Sequence, residues 1–178
     1  MEIHILALII TFCLSSEAIP LSEYLTTDYL HSSIIMMANI CTDGTSIIFI
    51  DTNGAIIKLN NTGQGLGLLM TYDVGSDGVN KNYPLRADAS MSEVLCPAYG
   101  MVVLYGIQAQ SLNFMGMYYV GLYKTIGISP DLSTVVLEQN SVGGDLKIYR
   151  RVSGGFQYGY SLSKDGDIEG EIYFSGDG

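Results

Sequence analysis

In residues 41–59 the chain reads CTDGTSIIFIDTNGAIIKL, and this pattern returns twice further along. With a shift of 46 residues it lies without gaps on Ala87–Tyr105, where Gly54 matches Gly100. A third copy begins at Ser129, with a shift of 42 for its first apolar segment and 44 for its second. Each copy has a polar turn, an apolar segment, a glycine turn and a second apolar segment, the pattern of a β-hairpin. Recurrence at this spacing predicts one repeated structural unit.

Further strand candidates flank each hairpin and repeat with it. Those before the hairpins lie at 34–41, 83–89 and 124–129, and those after them at 66–74, 112–120 and 156–163. Each unit therefore holds four short strands, which predicts an all-β protein. The units are placed at 34–80, 81–122 and 123–167, with the start of another at 168–178 and a linker or extra strand at 19–33.

Two segments of the third unit carry a family resemblance. Residues 128–137, ISPDLSTVVL, and 144–151, GDLKIYRR, resemble the repeated phrase of WD40-like β-propellers, as do Cys41–Thr45 and the start of a copy at Ser175–Gly178. The resemblance implies antiparallel four-stranded blades. About three full units are fewer than the four to eight blades that close a ring, so we expect an incomplete or shortened propeller. Closure by self-association and an open antiparallel assembly are the alternatives.

Composition and charge restrict the class of protein. Hydrophobic residues make up 48% of the chain and charged residues 15%, as in packed globular domains. The formal net charge of −10 argues against nucleic acid as a partner, because a phosphate-backbone binder needs a basic patch. After the N-terminal segment, no apolar stretch is long enough to span a membrane.

Residues 1–18 have the form of a signal peptide. The apolar run Ile5–Leu14 has the length of a hydrophobic region, and Ser16 and Ala18 are small residues suited to cleavage after Ala18. This pattern predicts a secreted, extracellular protein. Because Glu2 stands where a basic residue is usual, a buried N-terminal strand is the alternative.

Removal of that segment leaves two cysteines, Cys41 and Cys96. In an oxidising compartment they could form one disulfide, and the alternative is two buried free thiols. Asn60 begins the sequon Asn-Asn-Thr in a predicted glycine-rich turn, which makes it a candidate glycosylation site.

The sequence contains few residues suited to catalysis. After cleavage the only histidine is His31, and no nucleophile motif accompanies it, so we expect no enzyme activity. Two acidic loops after the last strands of their units offer candidate calcium ligands, with ordinary solvated turns as the alternative. The candidate ligands are Asp73, Asp77, Asp165, Asp167 and Glu169.

Tyrosines in strands suggest a contact surface. Tyr118, Tyr158 and Tyr160 combine an apolar ring with a polar tip, as interface residues often do, and packing between the units is the alternative.

The sequence favours a secreted, non-catalytic binding or scaffold module that contacts a protein partner, or itself, through edge strands. One alternative is a fragment or subunit of a propeller enzyme, hydrolase or lactonase-like, with a metal site. The other is a degenerate paralogue without a site. Apart from calcium, no cofactor is expected.

Overall fold

Three antiparallel sheets of four strands each make up the described part of the molecule. The structure is a computed structural model that describes residues 35–40, 46–51, 54–61, 66–74, 77–80, 82–83, 85–140, 144–163, 172 and 174. Sheet 1 contains β1 (Ile35–Ile40), β2 (Ser46–Asp51), β3 (Ala55–Asn61) and β4 (Leu66–Asp73). Sheet 2 contains β5 (Arg86–Ala87), β6 (Glu93–Ala98), β7 (Met101–Ile107) and β8 (Leu112–Tyr119). Sheet 3 contains β9 (Tyr123–Ile128), β10 (Thr134–Gln139), β11 (Leu146–Val152) and β12 (Gly155–Leu162).

Within each sheet, every strand pairs with its neighbours along the chain. The order β1-β2-β3-β4 recurs in the other two sheets, so all connections are local hairpins. The prediction of an all-β protein with repeated four-stranded antiparallel units is therefore confirmed.

The two central strands of sheet 2 are buried on both faces. Val94 and Cys96 of β6 belong to the apolar core shared with sheet 1, whereas Leu95 between them belongs to the core shared with sheet 3. In β7, Val103 faces sheet 1 and Val102 faces sheet 3. This alternation follows from the two-residue period of a strand. Burial on both faces explains why these strands have unbroken apolar sequences.

The repeat register predicted for the first hairpin strand was wrong by one residue. The shift of 46 aligned Ile48 with Val94, yet Ile48 points toward the following sheet and Val94 toward the preceding one. The two strands begin at Ser46 and Glu93, which are 47 positions apart. A shift of 47 places equivalent residues on the same face of the sheet in both repeats. The cause is the length of the turn. Only two residues lie between the paired residues Ala98 and Met101 at the ends of β6 and β7, whereas the β2–β3 connection is longer.

A left-handed residue recurs in the turn before the second strand of a sheet. Met91 before β6 has φ of 53° and Leu132 before β10 has φ of 57°, and both side chains are buried between sheets. Asp131 shapes the second turn by accepting hydrogen bonds from Ser129 Oγ at 2.6 Å and Ser133 N at 3.0 Å. The bond from Ser129, and then those from Ser133, lower the pKa of the Asp131 carboxyl to about 2.

A salt bridge joins sheets 2 and 3 outside their apolar core. Arg151 of β11 donates from Nη1 to Glu93 Oε2 at 2.6 Å and from Nη2 to Oε1 at 3.0 Å. A two-bond pairing of this kind fixes orientation as well as distance. The bridge therefore helps to set the angle between the two sheets.

Candidate interaction surface

The outer strands of sheets 2 and 3 contain no charged residue. β8 reads LNFMGMYY and β12 reads GFQYGYSL, and each is the last strand at one edge of its sheet. Sheet edges in soluble proteins are usually protected by charges, proline or bulges, because an open edge can pair with another chain. Each of these strands carries one bulge, at Met115 of β8 and at Gly159 of β12, but neither contains a charge or a proline. The two edges are therefore only partly protected.

Four side chains of β8 are large, mostly apolar and exposed. Phe114 is 51% exposed and Tyr119 is 75% exposed, and Met115 and Met117 between them are also on the surface. Phe114 makes an edge-on ring contact with the buried Tyr105, with ring centroids 6.1 Å apart. This contact anchors one end of an otherwise open aromatic and methionine surface.

On β12 the exposed apolar residues are Tyr158, Tyr160 and Leu162, each about half exposed. Tyr158 packs edge-on against Tyr149 of β11 at a centroid distance of 5.8 Å. Its hydroxyl lies 2.9 Å from Ser161 Oγ, within hydrogen-bond distance. Tyr158 is therefore held in place while half of its surface faces solvent. A partner would meet it with little further loss of side-chain freedom.

Tyr118 has different surroundings from the other two candidate tyrosines. Its ring contacts Phe156 at 5.9 Å between centroids and lies over Gly116 and Gly155. A Cβ atom on Gly155 would lie 2.7 Å from Tyr118 Cδ1. Tyr118 thus packs between sheets 2 and 3, and Tyr158 and Tyr160 are the more accessible pair.

The candidate calcium ligands are only partly described. Asp73 is exposed at the end of β4, and the Asp77 carboxylate accepts a hydrogen bond from Tyr105 Oη at 2.5 Å. Burial, and then this hydrogen bond, raise the pKa of Tyr105. Asp165, Asp167 and Glu169 lie outside the described residues, as does His31. Within the described ranges no group of three acidic, histidine or cysteine residues could hold a metal, and the calcium site stays a prediction.

Two of the remaining candidates, Cys96 and Asn60, lie in strands. Cys96 is a fully buried free thiol whose pKa is raised by burial, and Cys41 lies outside the described residues. Asn60 lies in β3 rather than in a turn, and its Oδ1 accepts a hydrogen bond from Ser46 Oγ at 2.5 Å. Glycosylation of Asn60 stays a prediction.

A cleft of about 200 Å³ opens between sheets 2 and 3 at the end where the β6–β7 turn lies. Asparagine, tyrosine and leucine side chains line most of it, and none of its lining residues is charged. The lining residues are Asn80, Tyr83, Ala98, Tyr99, Gly100, Leu122, Tyr123 and Asn140. The sequence does not predict this cleft, because its residues come from four separate segments that share no local motif.

Known proteins resemble this chain in structure. The β-propeller domain of Cps50 (Swd1) from Myceliophteria thermophila matches with a TM-score of 0.57 and 12% identity, over 78% of this chain and 46% of its own. A candidate 6-phosphogluconolactonase from Bacteroides fragilis matches with a TM-score of 0.58 and 13% identity, over 79% of this chain and 42% of its own. The fold is that of a β-propeller. Each of the three sheets is one blade, as the resemblance to WD40-like repeats implied.

A protein from Lactobacillus plantarum also matches, with a TM-score of 0.55 and 12% identity, over 76% of this chain and 43% of its own. The chain thus spans less than half the length of the solved structures that it matches. No protein-family model and no curated protein matches the sequence. The expectation of an incomplete propeller is confirmed, since the described residues form three open sheets where four to eight blades close a ring.

The described ranges also contain no helix with the length and apolar character needed to cross a bilayer.

Proposed function

We propose that this chain is a secreted, non-catalytic binding module of the propeller type, and that its partner pairs with the outer strands β8 and β12. The observation that carries the proposal is the exposed, uncharged side-chain surface of these two edge strands. An extended segment that adds to a sheet edge gains main-chain hydrogen bonds, and its alternate side chains find contacts on the neighbouring strand.

The chemistry of the surface supports a protein partner. Tyrosine, phenylalanine and methionine are enriched at the centres of protein interfaces, and charged residues are depleted there. The two strands approach each other across the gap between sheets 2 and 3. A partner could therefore contact both, and a second copy of the chain is one protein that could do so.

Selection of displayed random peptides on the immobilised full chain tests this proposal. We expect the selected peptides to carry apolar residues at alternate positions, because only every second side chain of an added strand lies on the same face of the extended sheet as the exposed apolar side chains. The double variant Tyr158→Lys/Tyr160→Lys should weaken their binding by about tenfold or more, since lysine on an edge strand opposes pairing.

A matched control adds the same two charges elsewhere. Ala109 and Gln110 are exposed in the β7–β8 turn, and Ala109→Lys/Gln110→Lys should leave peptide binding unchanged. Equal binding to wild type and to the Tyr158→Lys/Tyr160→Lys variant would overturn the proposed surface.

The fold shared with the candidate 6-phosphogluconolactonase favours one alternative, a fragment or subunit of a propeller enzyme. Charge speaks against that substrate class, because a phosphate ester is an anion and this chain carries −10 with only eight Lys and Arg. Hydrolysis of 6-phosphogluconolactone by the full chain, lost in Asp77→Asn, would favour the enzyme over the binding module.

Secretion rests on the composition of residues 1–18 alone. N-terminal sequencing of the protein from a eukaryotic secretion host tests it. A mature chain that begins at Ile19 would support secretion, and a retained Met1 on intracellular protein would contradict it.

A further inference from the structure

The cleft between sheets 2 and 3 has rigid aromatic walls. Tyr83 donates a hydrogen bond from Oη to the Lys124 carbonyl oxygen at 2.9 Å, and Tyr123 donates to the Ala98 carbonyl oxygen at 2.5 Å. Their rings meet edge-on with centroids 5.1 Å apart. Because both hydroxyls are bonded within the protein, the two rings keep their positions whether or not the cleft is occupied. Such preorganisation lowers the entropic cost of ordering the site when a ligand binds.

The mouth of the cleft carries an exposed aromatic ring. Tyr99 and Gly100 form the two-residue turn between β6 and β7, and the φ of 71° at Gly100 suits glycine there. Tyr99 is 75% exposed at the tip of this turn, and Leu122 lies beside it on the same rim. A flat apolar surface is thus presented to solvent at the entrance.

Amide groups supply the polar part of the lining. Asn80 and Asn140 lie on the cleft, and an asparagine side chain both donates and accepts hydrogen bonds. Asn80 Oδ1 already accepts a hydrogen bond from Asn82 N at 3.0 Å, which fixes the amide and leaves its NH₂ group to donate to a ligand. No lysine, arginine, aspartate or glutamate lines it. The lining therefore suits an uncharged ligand whose groups also both donate and accept.

The size of the cleft restricts the ligand to a single ring. Its volume of about 200 Å³ is several times the share of one water, roughly 30 Å³, and below the roughly 300 Å³ at which drug-sized sites begin. A sugar ring combines an apolar face with hydroxyls that donate and accept. We propose that this cleft binds one neutral sugar ring, stacked on Tyr99 and hydrogen-bonded by Asn80 and Asn140.

Saturation-transfer NMR on the full chain tests the proposal. The probes are methyl α-glucoside, methyl α-mannoside, methyl β-galactoside and N-acetylglucosamine, with glucuronate and uridine as comparators. We expect at least one neutral sugar to receive saturation at tens of millimolar, and glucuronate to bind more weakly because carboxylate meets a chain of net charge −10.

Two variants locate the site. Tyr99→Ala should weaken the binding of that sugar by about tenfold, and it should not unfold the protein because the ring is mostly exposed. Tyr158→Ala removes an exposed tyrosine from β12, outside the cleft lining, and should leave sugar binding unchanged.

Three outcomes would overturn the inference. They are no saturation of any neutral sugar, equal binding by wild type and Tyr99→Ala, and stronger binding of uridine with saturation on its base protons rather than its ribose protons, which would reassign the cleft to planar bases. None of these outcomes bears on the proposed contact surface of β8 and β12, because that surface is tested with peptides.

Discussion

Leu132→Ala is expected to lower the free energy of unfolding by about 2–5 kcal/mol, the range for deleting a buried leucine side chain. Leu132 is fully buried in the core between sheets 2 and 3, although it lies in a turn. Its φ of 57° is a conformation that a residue with a Cβ adopts only at a cost. Burial of the side chain must therefore outweigh strain in the backbone at this position.

Leu132→Gly separates those two effects. Glycine loses the same packing but accepts a positive φ, so we expect it to be more stable than Leu132→Ala by about 0.5–1 kcal/mol, the reverse of the order in most strands and helices. Urea denaturation of both variants measures this order. If Leu132→Ala were the more stable, the left-handed conformation would be contradicted.

An exposed leucine provides the control for packing. Leu122 is 43% exposed at the rim of the cleft, and Leu122→Ala should cost less than about 1 kcal/mol. The position equivalent to Leu132 is Met91 in the second repeat and Gly44 in the sequence of the first repeat. Gly44 lies outside the described residues, and glycine is the residue that such a turn accepts most readily.

Gly127→Ala is expected to destabilise the protein by about 1–3 kcal/mol, the range for forcing an added methyl group into packed structure. Gly127 lies in β9, and a Cβ there would be 2.7 Å from both Cβ and the carbonyl oxygen of Ile172. These neighbours include backbone, so a rotamer change cannot relieve the clash. Thermal unfolding followed by circular dichroism measures the effect.

Gly106→Ala is the matched control, since Gly106 also lies in a strand without a positive φ. Its Cβ would meet mainly the flexible Met115 side chain, at 3.2 Å from Sδ. We expect that variant to lie within about 1 kcal/mol of wild type. Equal stability of Gly127→Ala and wild type would mean that Ile172 does not lie against sheet 3.

The repeat and its strands could be predicted because glycine turns and apolar segments are local signals. The register of the first hairpin strand could not, because Ile48-Phe49 and Val94-Leu95 are buried on both faces. An apolar run without polar alternation does not indicate which residue faces which sheet. The repeated pattern of apolar and glycine residues therefore does not reveal that the two turns differ in length by one residue.

The candidate surface was only partly predictable for a related reason. Tyr118, Tyr158 and Tyr160 look alike in sequence, yet the first packs between two sheets while the others are half exposed. Exposure of a strand tyrosine depends on its distance from the neighbouring sheet, which the sequence does not contain. The cleft depends in the same way on segments that only the fold brings together.

Residue-resolved hydrogen exchange of the full chain, at a concentration where light scattering shows a monomer, tests the account most directly. If β12 is an open edge strand, its amides should exchange alternately fast and slow on each side of the bulge at Gly159, because every second N–H of an edge strand points away from the sheet. The amides of β10, which pairs on both sides, should be slow throughout. Uniformly slow exchange along β12 would show that its edge is already covered, and the proposed binding surface would be wrong.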